Sequence, residues 1–175
     1  MATDFNVGAG VKAQRKLLKH FVNVGTTDKP EWELLGKGIE DSSIELNPET
    51  EEVKDILGVN EVSVTGWKPT QSFDPFTVRG GSKLAIKLHD IWMNNTPELL
   101  SQFEMLTVYS YVGDTSAGYD ADLQKNCTIS PSSIGGSAYV DMPIEVSYSN
   151  DKTRGTVKFA DGVPTFTATE TATAE

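Results

Sequence analysis

Strict alternation of apolar and polar residues runs through the middle and end of the chain. Val62 and Val64 alternate with Glu61, Ser63 and Thr65. Leu106, Val108 and Val112 share one face of residues 104–112, with Tyr109 and Tyr111 on the other. Val140, Met142, Ile144, Val146 and Tyr148 line one face of 139–148, and Val157 and Phe159 alternate with Thr156 and Lys158. A period of two belongs to half-buried strands, so these segments predict antiparallel β-structure. Turn residues punctuate it: Ser149-Asn150-Asp151 separates two runs, and Asp161-Gly162, with Pro164 beyond, follows the next. Earlier strands are predicted at about residues 20–24, 31–35 and 38–46.

One segment has a different period. Leu84, Leu88 and Ile91 fall at i, i+4 and i+7, with Ala85 and Trp92 alongside. Ser82 is an N-cap, and Asn94-Asn95 followed by Pro97 is a stop, so the spacing predicts one amphipathic helix over 82–94 laid on a sheet. A second short helical piece is predicted near 97–102. Residues 47–58 read as a polar connection that starts at the Asn47-Pro48 turn and ends at Gly58, long for a hairpin loop. The end of the chain, 165–175, is Thr/Ala-rich, and most of it is predicted to be unstructured.

Length and charge narrow the function. A chain of 175 residues suffices for one domain with a real core. Its apolar runs, such as Phe21-Val22 and Leu34-Leu35, fall far short of the roughly 20 residues that cross a bilayer, so no membrane binding of its own is expected. Residues 1–10 are polar and Gly-rich without a secretory pattern, and the chain is expected to stay in the compartment where it is made. Cys127 is the single cysteine, so stability must come from burial and assembly rather than an internal disulfide. The formal net charge of −10 argues against a general nucleic-acid binder. Charge is also segregated. Lys12, Arg15, Lys16 and Lys19 cluster near the start, and Glu40, Asp41, Glu45, Glu49, Glu51, Glu52, Asp55 and Glu61 follow with only Lys54 among them. Two solvated surfaces account for this, and so do two complementary faces that meet between subunits.

Catalytic chemistry is not legible. His20 and His89 have no second His or Cys at ligand spacing, and His89 and its neighbour Asp90 point different ways on a helix. Gly8-Ala9-Gly10 and Gly80-Gly81-Ser82-Lys83 complete no phosphate-binding fingerprint. The acidic stretch 49–55 lacks the alternating oxygen ligands and central Gly of a calcium loop. No cofactor, metal or catalytic residue is therefore assigned, and the chain is read as non-enzymatic. Trp32, Trp67 and Trp92 lie on separate elements and are read as core or interface anchors.

Several stretches, in order, carry a resemblance. They are Trp32-Glu33-Leu34-Leu35-Gly36-Lys37-Gly38, Asn47-Pro48-Glu49-Thr50, Val64-Thr65-Gly66-Trp67-Lys68-Pro69 and the hairpin at 148–159. From about residue 19 to 166 the chain resembles the major tail, or tail tube, proteins of siphophages and prophages. That resemblance implies a mainly β fold of two packed antiparallel sheets, a β-sandwich or partial barrel, with one flanking α-helix. It implies an N-terminal arm (1–18), a tail-tube β domain (19–166) and a flexible tail (167–175). It further implies hexameric rings stacked into a tube for passage of viral DNA without specific binding. The partners it implies are copies of the chain itself, a tape measure protein and tail terminator or connector proteins, and the location it implies is the virion tail, after assembly in the host cytoplasm.

Carried onto this chain, the loop that reaches the neighbouring ring is Asn47, Pro48, Glu49, Glu51, Glu52, Lys54 and Asp55. The inner-wall strands are about 39–46 and 60–70, and the arm contacts are Lys12, Arg15, Lys16 and Lys19. In the wall strands Asp41, Ser43 and Glu45 share one face, as do Glu61, Ser63 and Thr65, opposite Ile44, Leu46, Val62 and Val64. Packing the apolar face into the domain core would turn these six polar residues to the channel, where negative charge repels phosphates. A carbohydrate-binding or adhesin-like β module, a small enzyme, and the tube of a phage-derived contractile particle remain the alternatives.

Overall fold

The computed structural model describes residues 5–169. Residues 1–4 of the expected arm and 170–175 of the expected tail lie outside the described residues. In chain order the elements are β1 (Leu18–Asn23), β2 (Trp32–Leu35), β3 (Ile44–Glu45), β4 (Pro48–Lys54), β5 (Asn60–Trp67) and β6 (Thr70–Phe73). Then come α1 (Lys83–Met93), β7 (Phe103–Asp114), β8 (Gly118–Pro131), β9 (Ile144–Ser147), β10 (Lys152–Ala160) and β11 (Val163–Ala168).

Strand β7 dictates the architecture because both its faces are apolar. Phe103 and Met105 point one way, Leu106 and Val108 the other, and all four are buried. A sheet built on such a strand must be covered on both sides. The covering comes from a fork in β8. One half of β8, from Tyr119 to Gln124, pairs with β10, and the other, from Thr128 to Pro131, pairs with β9. Between them Asn126 adopts a left-handed φ of 55°, where the β7–β8 register shifts. The main antiparallel sheet therefore runs β2-β1-β7-β8-β9-β6-β3, with β10 and β11 branching from β8.

The two branches fold over opposite faces. His20 of β1 and Phe73 of β6 are four strand steps apart in the sheet, about 19 Å if it were flat. Their rings lie 6.0 Å apart. On the other face, Phe21 of β1 meets Phe159 of β10 at 6.1 Å, across three strand steps. The result is two packed layers, a sandwich that curls into a partial barrel, with two apolar clusters. The larger holds Val22, Phe73, Phe103, Met105, Ile129 and Ile144, and the smaller Phe21, Leu106, Val108, Ala121 and Val157.

Helix α1 plugs the larger cluster with Leu84, Leu88 and Ile91, the predicted stripe. The Ser82 hydroxyl accepts from the Ala85 N–H at 3.2 Å, as predicted for the cap. Glu33 of β2 adds a carboxylate: it accepts from the Ser82 hydroxyl at 2.6 Å and from the Leu84 N–H at 2.9 Å. A negative group there suits the helix N-terminus and ties α1 to the sheet edge. Trp92, expected beside the stripe, is instead 69% exposed. The second helical piece is a single 3-10 element, Pro97–Ser101.

The structure differs from the sequence expectation at two segments. Residues 38–46 form no long strand: positive-φ Gly36 and Gly38 turn the chain, and only Ile44 and Glu45 pair, with β6. Residues 47–58 are no loop, since Pro48–Lys54 is the full strand β4, paired with β5. At the far end of the chain, Ala160 pairs with Val163 across Asp161 (φ 50°) and Gly162 (φ 81°), the predicted tight hairpin turn. Val140 is exposed, and the predicted 139–148 strand is regular only from Ile144.

Leu88 is 1% exposed inside the larger cluster. Leu88→Ala should therefore destabilise the fold by about 3 kcal/mol, read as a lower urea midpoint with unchanged slope. Val62→Ser, at an exposed site, should change the unfolding free energy of the dilute monomer by no more than about 0.5 kcal/mol in the same titration.

Candidate functional site

Among the described residues, strands β4 and β5 pair only with each other and form a hairpin outside the main sheet. Every residue of β4 is exposed, and so is every residue of β5 except Gly66, which is half-buried. The register sets Glu51 opposite Ser63 and Val53 opposite Glu61 on one face, and Thr50 opposite Val64 and Glu52 opposite Val62 on the other. A bulge lies between Glu49 and Thr50. Beside it the Thr65 hydroxyl donates to the Glu49 carbonyl at 3.2 Å. At the root, Lys68 pairs with Glu49 at 2.6 Å, and Asn47 Nδ2 donates to the Lys68 carbonyl and the Thr70 hydroxyl.

The tip is apolar and rigidly built. One oxygen of Asp55 accepts from the N–H groups of Leu57 (2.9 Å) and Val59 (2.8 Å). The Gly58 N–H closes onto the Asp55 carbonyl, with Gly58 in the left-handed region (φ 82°) where a side chain is disfavoured. Ile56 and Leu57 are thereby held out in solvent, at 103% and 83% exposure. Asp55, expected as part of an acidic loop, uses its carboxylate to shape this turn.

The expected packing of Val62 and Val64 into the domain core does not occur, since each is 59% exposed. Their strand pairs with β4 instead of with 39–46 and stands clear of the sheet. Glu61, Ser63 and Thr65 are exposed with Glu51 on the same hairpin. Asp41, Ser43 and Glu45 are also exposed, but on the irregular approach to it, while Ser42 between them is buried. Exposure thus alternates from Asp41 to Glu45 even though the backbone is not a strand, but the expected inward packing fails at Leu46, which is 55% exposed.

The basic cluster divides. Lys12 and Lys16 are exposed. Lys19 lays its ammonium over the Phe159 ring at 4.7 Å. Arg15 donates to the Leu18 carbonyl at 2.7 Å and to the Ser42 carbonyl at 2.8 Å. Sequence reading missed the start of the arm docking on β7: Phe5 bridges to Val112, and Asn6 Nδ2 donates to the Ser110 and Gly113 carbonyls.

A buried polar column lies behind Arg15. Gln71 donates to the Ser42 hydroxyl at 2.9 Å and accepts from the Tyr148 hydroxyl at 2.6 Å. The Asp122 carboxylate accepts from the Tyr109 hydroxyl at 2.6 Å and pairs with Lys152 at 3.0 Å. Burial and that neighbouring carboxylate push the Tyr109 phenol well above its usual range. Between Arg15, Lys152, Leu18, Leu46, Trp67 and Pro69 a cavity of about 570 Å³ opens at the hairpin root. A second cavity, of about 470 Å³, lies at the end of α1 between Leu88, Trp92, Met93, Ile134 and Met142. Among the described residues no group of three or more His, Cys, Asp or Glu is placed to hold a metal ion, and no helix is long and apolar enough to cross a membrane.

His20 is 2% exposed, and its Nε2 faces the Arg15 guanidinium at 3.4 Å. A guanidinium only donates, so Nε2 accepts and the ring is neutral with its proton on Nδ1. Burial first, and Arg15 second, push its pKa down from 6.5 to about 4. With the folded value below the unfolded one, the unfolded chain binds more protons between these limits. Stability contributed by neutral His20 is complete above pH 6.5 and is lost as pH falls toward 4. His20→Gln should remove that component, roughly 3 kcal/mol, from the pH dependence of unfolding measured by urea titration between pH 4 and 7.

No family model matches the sequence. No curated protein matches it either. Among solved structures the chain is similar to the tube-terminating cap of an anti-feeding prophage, at 12% identity and a TM-score of 0.49, covering 86% of this chain and 95% of that one. It is also similar to a chain of an extracellular contractile injection system, the PVC sheath–tube complex in its extended state, at 15% identity and a TM-score of 0.45, covering 79% and 89%.

Proposed function

We propose that this chain is a structural subunit of a bacteriophage tail tube, assembling with copies of itself into hexameric rings that stack around a negatively lined channel for DNA. The observation that carries this reading is the hairpin Pro48–Trp67. It is a well-formed two-stranded sheet with an apolar tip, and among the described residues none covers either face. A two-stranded hairpin alone in water is marginal, and a concentration of large exposed apolar side chains marks a contact surface. Val53, Ile56, Leu57, Val59, Val62, Val64 and Trp67 are all more than half exposed. Copies of the same chain supply the cover with no further component.

Charge and sheet edges support the same reading. The hairpin carries Glu49, Glu51, Glu52, Asp55 and Glu61 against Lys54. A ring of such hairpins presents a dense band of negative charge, which DNA passes without capture. The main sheet ends at β2 and β3, and β11 pairs only with β10. Edge pairing between neighbours in a ring would close strands that otherwise invite uncontrolled association. Lys12 and Lys16 remain candidates for meeting the acidic hairpin of an adjacent ring. In this reading a tape measure protein and terminator or connector proteins complete the tail in the virion.

Negative-stain microscopy of the purified, concentrated chain tests the proposal: rings or tubes are expected, and compact monomers contradict it. Glu51→Lys with Glu52→Lys should abolish or shorten the tubes while leaving the melting temperature of the dilute protein within a few degrees. Tubes of unchanged length from that double variant would rule out the acidic hairpin as an assembly contact.

A further inference from the structure

We infer that the cavity at the hairpin root receives the hairpin tip of a second copy, so that subunits join tip to root. The inference rests on the self-assembly reading above and names the two surfaces that meet.

The two features are complementary in shape and chemistry. The tip is convex, with Ile56 and Leu57 projected into solvent by a turn that Asp55 has already locked. A locked element loses little conformational freedom when it docks. The root cavity is concave, about 570 Å³, with Leu46, Trp67 and Pro69 as an apolar wall and Arg15 and Lys152 as cations. That volume is in the range of sites that enclose a small organic molecule. Lys152 is already matched by Asp122. Arg15, however, is held by the neutral carbonyls of Leu18 and Ser42, and among the described residues it makes no salt bridge. Its charge is positioned but not neutralised, and the incoming hairpin is acidic.

Geometry forbids a chain from filling its own cavity. Seven residues of β4 place the tip about 24 Å from the root. The contact must therefore form between copies, and it joins two different surfaces. Such a heterologous contact closes into a ring where its rotation allows and otherwise propagates along one axis. The groove at the end of α1 is also apolar, but no Lys or Arg lines it. Two tips meeting face to face would bring acidic strands together. Charge favours the root over both, and the neighbouring cavity along β1, which shares Arg15 and adds Lys16, Lys19 and Lys37, extends the basic surface on that side.

The test is site-directed disulfide trapping of Leu57→Cys combined with Asn150→Cys, a tip residue and an exposed residue of the root cavity. Cys127 is fully buried and stays silent. Under mild oxidation at assembling concentration, the double variant should give a ladder of covalent dimers, trimers and higher species that collapses on reduction. Each single variant should run as monomer. Dimers from Leu57→Cys alone, or a ladder from Leu57→Cys with Ile134→Cys in place of Asn150→Cys, would overturn the tip-to-root contact. Independently, Leu57→Asp should raise the concentration needed for assembly at least tenfold, and an unchanged threshold would overturn it. In these negative outcomes wild-type tubes would leave the tube reading standing; a wild-type chain that never assembles would sink both.

Discussion

A strand that is apolar on both faces must be covered twice, and β7 imposes this on the whole molecule. Phe103 and Met105 require one cover, Leu106 and Val108 another. No single flat sheet provides both. The chain resolves the demand at β8, whose two halves pair with different strands, so that one branch curls over each face. Helix α1 is then needed only at one side, where Leu84, Leu88 and Ile91 complete the larger cluster. Glu33 joins that helix to the opposite sheet edge through its N-terminal groups. Burial dictates the branching, and hydrogen bonding fixes the positions.

The same reasoning, applied outside the core, isolates what the chain does not finish. The hairpin Pro48–Trp67 has the hydrogen bonds of a sheet and the alternation of a half-buried strand, but the burial is missing. Val62 and Val64 carry the pattern of core residues at positions exposed to water. In a chain whose central strands, β1 and β7 to β9, bury their apolar faces, that is the pattern of a surface completed by another molecule. The acidic residues beside it make a neutral or basic receiving surface the natural complement. Arg15, oriented by backbone carbonyls beside an apolar wall, belongs to such a surface in the same chain.

How far this was legible in the sequence depended on where burial comes from. The helix was read almost to its ends, because Ser82, the Leu84–Leu88–Ile91 spacing and Asn94 are local signals. The Asp161-Gly162 turn was legible because only a few residue types tolerate two successive positive φ values. Strand β4 was not, because Glu49, Glu51 and Glu52 give no apolar alternation when neither face is buried within the chain. Its partner β5 alternates as a strand should, but the burial that this alternation predicts is absent. The segment 38–46 alternates correctly, yet Gly36 and Gly38 turn the backbone away from a ladder before Ile44. His20 gave no hint of its buried, neutral state, which comes from long-range packing against Phe73 and from Arg15. The cavity at the hairpin root joins residues more than a hundred positions apart and had no sequence signature.

The central claim is that identical neighbours cover the hairpin, and hydrogen–deuterium exchange of its amides across a concentration series tests it most directly. On this account the amides of residues 50–64 exchange quickly in dilute protein and gain at least tenfold protection at concentrations where the chain assembles, ahead of any change in the core strands. Exchange in the hairpin that stays equally fast at every concentration, with particles present, would contradict it.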